Sequence, residues 1–459
     1  MEKFIKKIIF MINKLLIFLK LFLRSFSKVF YGKYFIFTSG HAHISDLSNI
    51  KLQYAQPNEN VNYFFEKKFS KIVGSGTAIS FASARMCFYV MLEYYEIGKG
   101  DEVIVNGATC SVMVNAIIRR GAKPIFSDID PENFGSSLCG IKACVSKHTK
   151  LIVAQHSFGI PCQIQEICSY SKAIEVPVIE DCAVALDSKY KGITIGNFGE
   201  ASIFSFDGTK PINCFMGGVL YTNNNKIFNY AITKQNNTEN LPAEKIKAIY
   251  NRFIFNRKYL NLKYSKYTDL YNLFQYIQIK FFKKISPFLD DDFHYSASSN
   301  YPYPAKMPSF LALIGVYEVD RWASQREQRR EMLRLTIELF SSKGLCNLLS
   351  PAYFNPDLEI TPLRIIFGHK ELNLLRYTYK NFLDIAATWF ISPITATIEP
   401  LEAYGYRIGD CPISEASGKF IVNLPTNYSL HEYEGFLKLL TIKLNELSFP
   451  SGDAKFTAS

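Results

Sequence analysis

From residue 70 to 225 the chain alternates short apolar runs with stretches of helical periodicity. The runs at Val103–Val105, Pro124–Ser127, Leu151–Ala154, Val176–Ile179, Ser202–Phe206 and Val219–Thr222 have the length and unbroken apolar character of buried strands. Between them, Ser111–Arg120 and Ile164–Ala173 repeat their apolar positions at helical spacing. Alternating strands and helices predict an α/β fold with a mainly parallel sheet covered by helices. In such sheets a ligand site gathers at the carboxyl ends of the strands. Residues 236–305 break the pattern, being rich in Tyr, Phe, Lys and Asn. They read as a helical insertion packed on its own domain, a lid, or a second membrane-facing surface. A long helical pattern from Pro308 to Phe340 follows, its second half heavily charged. It leads to a smaller C-terminal α/β domain. The expected division is 1–34, an N-terminal helix; 35–320, a large domain containing the insertion; and 321–459, the linking helix with the small domain.

The first segment has a different periodicity. On a helical wheel Lys3, Lys6, Lys7, Asn13, Lys14, Lys20, Arg24, Ser25 and Lys28 fall within an arc of about 140°. Ile5, Ile8, Met11, Ile12, Leu15, Leu19, Phe22, Leu23 and Phe26 occupy the opposite side, while Phe10, Ile17 and Leu21 fall inside the polar arc. Lysines interrupt every apolar run long enough to span a bilayer, and no small-residue cleavage site follows. The pattern fits a helix lying in the interface of an anionic membrane. A transmembrane span and a helix docked on the protein's own core are the alternatives. The expected location is cytoplasmic, with peripheral attachment to the inner membrane face through residues 3–30.

Composition narrows the class. The 459 residues are 48% hydrophobic and 20% charged, which excludes a disordered or disulfide-stapled chain. The formal charge is +11, much of it in the first segment, and no basic recognition motif interleaved with aromatics follows. No nucleic-acid partner is expected. Ten cysteines occur without a CxxC pair and seven histidines without HExxH, so neither a disulfide framework nor a metal site is expected. GSGTAIS at 74–80 has Ile79 where a dinucleotide fingerprint needs its third glycine.

A stronger chemical signal lies further on. A predicted strand runs into Glu180-Asp181, and Lys210 follows Asp181 by twenty-nine residues, just after another strand. Pyridoxal phosphate chemistry needs such a pair: a lysine to carry the cofactor, and a carboxylate to keep the pyridine nitrogen protonated. Spacing alone favours an exposed lysine and a solvated or capping aspartate.

Four ordered segments change that balance. They are KGDEVIVNGATCSVMVNAIIRRGAKPIFSDIDPENF at 99–134, HSFGIPC at 156–162, VIEDCAVALDSKYKGITIGNFGEASIFSF at 178–206 and SFDGTKPINCFMGG at 205–218. Together they resemble the DegT/DnrJ/EryC1/StrS family of sugar aminotransferases, clearly over 70–225 and faintly over 308–447. The resemblance implies the fold-type-I architecture of pyridoxal-phosphate-dependent transferases, a homodimer, and pyridoxal 5'-phosphate as cofactor. It implies transfer of an amino group from an amino-acid donor to a keto sugar, nucleotide-linked, for cell-surface polysaccharide or related glycan synthesis. Carried onto this sequence, Lys210 would hold the cofactor and act as the catalytic base, and Asp181 would pair with the pyridinium. Ser205 would contact the phosphate, and Ser83, Ala84 and Arg85 would form its binding turn, although Arg85 also reads as a surface ion-pair residue. His156 would lie toward the substrate or be a packed, hydrogen-bonded histidine. Two positions depart from the family pattern. Val184 stands where a glutamine usually meets the cofactor's phenolic oxygen, and Cys110 where an aromatic usually stacks on its ring. These departures leave two further readings: an inactive, membrane-associated relative serving as a scaffold, or a pyridoxal phosphate enzyme acting on a lipid-linked sugar.

Overall fold

The computed structural model describes residues 22–23, 47–55, 58–259, 267–289, 301–368, 393–395 and 399–446. The expected interfacial helix at 3–30 lies outside them, save for two residues. Among the described residues no helix is long and apolar enough to cross a membrane.

Seven strands form the central sheet: β1 (Thr77–Phe81), β2 (Glu102–Asn106), β3 (Lys123–Ser127), β4 (Thr149–Gln155), β5 (Val178–Asp181), β6 (Ala201–Ser205) and β7 (Gly218–Thr222). Their order is β1-β7-β6-β5-β4-β2-β3. From β6 to β3 all neighbours are parallel, whereas β7 runs antiparallel to both β6 and β1. The six apolar runs read from the sequence all become strands of this sheet, with ends displaced by up to two residues. The edge strand β1 falls in the segment where glycine-rich character stood out instead.

Alternation along the strands sorts side chains onto two faces. Val103, Val105, Leu151, Val153, Ile179 and Ile203 join one hydrophobic cluster, and Ile104, Ile152, Ala154 and Val178 join another. The first face is covered by α1 (Leu47–Ala55), α2 (Glu59–Val73), α3 (Ala84–Tyr94) and α4 (Ser111–Arg119). The second is covered by α5 (Leu138–Cys144) and α6 (Ile164–Ala173). A sheet buried on both faces explains why its central strands read as continuous apolar runs.

After α7 (Asn225–Asn237), the aromatic-rich region forms α8 (Ala243–Tyr259) and α9 (Thr268–Phe282). Ile249 and Phe253 of α8 enter the first cluster, and Tyr250 stacks on Tyr54 of α1 at 4.3 Å between ring centroids. The long helix α10 (Ser309–Ser342) touches both parts of the molecule. Its first half, with Phe310, Leu311 and Ile314, packs on the sheet, and its second half, with Met332, Leu333 and Phe340, belongs to a separate cluster. That cluster includes β8 (Arg364–Gly368), the antiparallel β9 (Ile421–Pro425) that follows α11 (Pro412–Phe420), and α12 (Leu430–Glu446).

Candidate active site

Parallel strands bring their carboxyl ends to one edge of the sheet. There β4 ends in Gln155, β5 in Asp181 and β6 in Ser205, with Gln155 directly opposite Asp181. Lys210 follows β6 in a turn closed by its own N–H donating to the Asp207 carbonyl at 3.0 Å. This turn places the lysine beside the end of β5.

Charge interactions show which groups lie near one another. Burial pushes the Asp181 carboxyl above its usual range, while an N–H bond from Ala183 at 2.9 Å and the Lys210 charge pull it back. Burial likewise raises the Cys110 thiol, opposed by the charges of Lys210 and Arg85. A buried carboxyl held up by desolvation gains most from a cationic partner.

The second element of the site is the start of α3. Ser83 is its N-cap residue and is 6% exposed, and its Oγ has no hydrogen-bond partner among the described residues. Ser83 pairs with Gly217 across an isolated bridge. A Cβ at Gly218 would lie 2.2 Å from the Ala84 nitrogen, so only glycine lets β7 pass this close to the helix start. Gly217 adopts φ of +128°, which side-chain-bearing residues avoid. A helix N-terminus offers unpaired N–H groups, and here it also carries an unpaired buried hydroxyl and the nearby Arg85. That donor set fits a phosphate. Ser205 Oγ accepts only a long 3.5 Å bond from the Asp207 N–H, which leaves its hydroxyl available.

The structure therefore brings Lys210, Asp181, Cys110 and Arg85 into one electrostatic neighbourhood, with Ser83 and Ala84 at the helix start. Val184 is buried, and its apolar side chain offers no hydrogen bond. Of the two readings of His156, its surroundings match the packed, hydrogen-bonded one. Its side chain is fully buried, Nδ1 accepts the Cys162 N–H at 3.0 Å, and Nε2 lies 3.1 Å from Glu180 Oε2. The Cys162 bond requires an unprotonated Nδ1, so Nε2 carries the proton and donates to Glu180. Glu180 also accepts N–H groups of Gly196, Phe198 and Gly199. His156, Glu180 and Cys182 lie close enough to hold a metal ion, but these bonds already occupy the Glu180 oxygens and both His156 nitrogens. The trio fastens the end of β5 from behind.

Two features escaped the sequence. Ile394–Thr395 pairs in parallel with Thr109–Cys110, so a segment from the C-terminal part flanks Cys110, and no local signal announces a pairing across that separation. Asp187, six residues after Asp181, has φ of +59°; its Oδ2 accepts Trp322 Nε1–H at 3.0 Å and an Arg326 N–H at 2.9 Å. It ties the loop after β5 to α10. A polar residue in the left-handed region is readable only after the turn is known.

A sheet of this order, with a lysine and an aspartate at its carboxyl edge and a phosphate-shaped helix start, defines the class of fold-type-I pyridoxal phosphate enzymes. Comparison with known proteins points to a family: residues 53–252 match the model of the DegT/DnrJ/EryC1/StrS aminotransferase family. These are pyridoxal-phosphate-dependent sugar aminotransferases, and pyridoxal phosphate is accordingly the cofactor. An uncharacterized protein of Methanocaldococcus jannaschii, MJ1066, is 27% identical over 363 residues, 79% of this chain and 83% of that one. The GDP-perosamine synthase of Escherichia coli O157:H7 is 38% identical over 164 residues, 36% of this chain and 45% of the synthase. The sugar aminotransferase Spr1654 of Streptococcus pneumoniae, described as putative and solved in its PLP form, superposes with a TM-score of 0.64 at 17% identity, covering 90% of this chain and 100% of that one.

Proposed function

We propose that this chain moves an amino group from an amino-acid donor to the carbonyl carbon of a nucleotide-linked keto sugar, in the synthesis of a cell-surface polysaccharide or related glycan. The observation that carries the reading is the charge interaction of Lys210 with buried Asp181, together with the unpaired Ser83 hydroxyl at the helix start. When bound there, pyridoxal phosphate supplies an electron sink for the pair left when a C–H bond breaks. Ser83, Ala84, Arg85 and Ser205 hold the phosphate, and Asp181 keeps a proton on the pyridine nitrogen. Lys210 Nζ anchors the cofactor and, when released, takes the α-proton of the donor and returns a proton to the sugar carbon that gains nitrogen. Homodimerisation and attachment of residues 3–30 to the cytoplasmic face of an anionic membrane complete the proposal.

The test is a screen of keto-sugar nucleotides with glutamate and other amino donors, followed by mass spectrometry. An amino sugar formed only with donor and cofactor together supports the reading. A chain that binds cofactor and turns over none of them contradicts it.

A further inference from the structure

Helix α9 has two unlike faces. Inward, the Tyr271 ring stacks on Phe255 at 3.4 Å with 9° between planes, Leu273 is buried, and Arg252 of α8 bonds to Asn272 Oδ1 at 2.8 Å and to Gln275. Outward, Phe274 is 56% exposed. At the C-terminal end every residue from Lys280 to Ile285 is exposed, with Phe281 at 67% and Phe282 at 72%. Lys283 adopts the left-handed conformation and ends the helix. The two phenylalanines therefore stand at a corner, with Lys280, Lys283 and Lys284 around them.

Adjacent exposed aromatics at such a corner are costly in water, and single-sign charge around them selects the partner. Between Arg257 and Lys284 the chain has seven Lys and Arg against Asp269 alone, and residues 1–33 have eight against Glu2 alone. The chain as a whole has 52 Lys and Arg and 41 Asp and Glu, so outside these two segments acids slightly outnumber bases. The entire positive excess sits in two aromatic-rich segments. An anionic lipid surface matches both properties, because its headgroups meet the lysines while its acyl boundary takes the rings.

We infer that the corner Lys280–Ile285 is a membrane contact: Phe281 and Phe282 enter the interfacial zone of an anionic bilayer, and Lys280, Lys283 and Lys284 meet its phosphates. The inference extends the membrane placement proposed for residues 3–30 but rests on different residues, so the two can fail separately. The test uses the full chain with Phe282→Trp and vesicles of phosphatidylcholine with or without phosphatidylglycerol. Emission of the introduced indole should shift to the blue only with the anionic vesicles, and lipids brominated in the acyl chain should quench it. The double variant Phe281→Ser, Phe282→Ser should lower vesicle affinity by about tenfold, with cofactor absorbance unchanged. An unshifted probe on a vesicle-bound chain would overturn the corner contact while leaving residues 3–30 as the anchor. Unchanged binding after Lys6, Lys7, Lys14 and Lys20→Gln, with the probe still quenched, would overturn the role of residues 3–30 alone. A blue shift without vesicles that disappears on dilution would show a second copy covering the corner and also overturn the inference.

Discussion

Asp181 is a buried carboxyl that a bound cation would stabilise further. Its carboxyl is raised by burial, then lowered by the Ala183 N–H and by Lys210, and burial prevails. In the cofactor-free fold the carboxylate is therefore a destabilising charge, and a protonated pyridine would neutralise it. Asp181→Asn should keep the fold and raise the melting temperature of the cofactor-free protein slightly at neutral pH. It should also lower turnover by at least about a hundredfold, the scale of an acid–base contribution. Calorimetry beside an activity assay checks both, and a variant that loses stability and keeps activity would refute the assignment. That Asp181 ends a strand and Lys210 follows another was legible, because strand ends are marked by apolar runs and the motifs around them are ordered. Which of the two readings of His156 holds was not, because sequence cannot show that Cys162 N–H and Glu180 already engage both ring nitrogens. Cys110 and Val184 were legible as departures, and the structure adds that burial leaves Val184 with no polar contact to offer.

At the scale of elements, the site depends on how closely β7 passes the start of α3. Gly218→Ala puts a methyl group 2.2 Å from the Ala84 backbone nitrogen, so strand or helix must move. A loss of about 1–3 kcal/mol in stability is expected, as for other overpacked sites, with weaker cofactor binding measured by absorbance titration. An unchanged affinity would show that the phosphate is held elsewhere. Helix α10 contains a second test. Glu318 is buried and its carboxyl is pushed up to about 7 by desolvation, against the opposing charges of Arg321 and Arg329 on its own helix and Arg257 on α8. A raised folded-state value means stability is fully present below the unfolded value near 4.5 and is lost as pH rises through 7. Glu318→Gln should thus flatten the fall in unfolding free energy between about pH 4.5 and 7, a difference of at most about 3 kcal/mol. An equal fall in the variant would assign that dependence to other groups. The parallel strands could be read because burial on both faces makes them uniformly apolar. Strand β1 could not, since an edge strand paired antiparallel to β7 shares its segment with Gly74 and Gly76.

At the scale of the whole molecule, positive charge is segregated from an otherwise slightly acidic body. A chain anchored by its basic segments should sediment with anionic liposomes and be only partly released by high salt, because salt screens the lysines and not the apolar face. Complete release by salt would reduce the contact to charge alone. The long helix α10 was legible from its periodicity and charged second half, but the closure of Ile394–Thr395 onto Thr109–Cys110 is set by tertiary packing that no local pattern records. The central claim is that this fold exists to hold pyridoxal phosphate on Lys210. Borohydride reduction of the purified, cofactor-loaded chain, followed by peptide mass mapping, tests it directly. The account predicts one phosphopyridoxyl group, carried on the peptide containing Lys210, and none in Lys210→Ala. Stable labelling of another lysine with Lys210 unmodified, or a folded chain that takes up no cofactor, would contradict it.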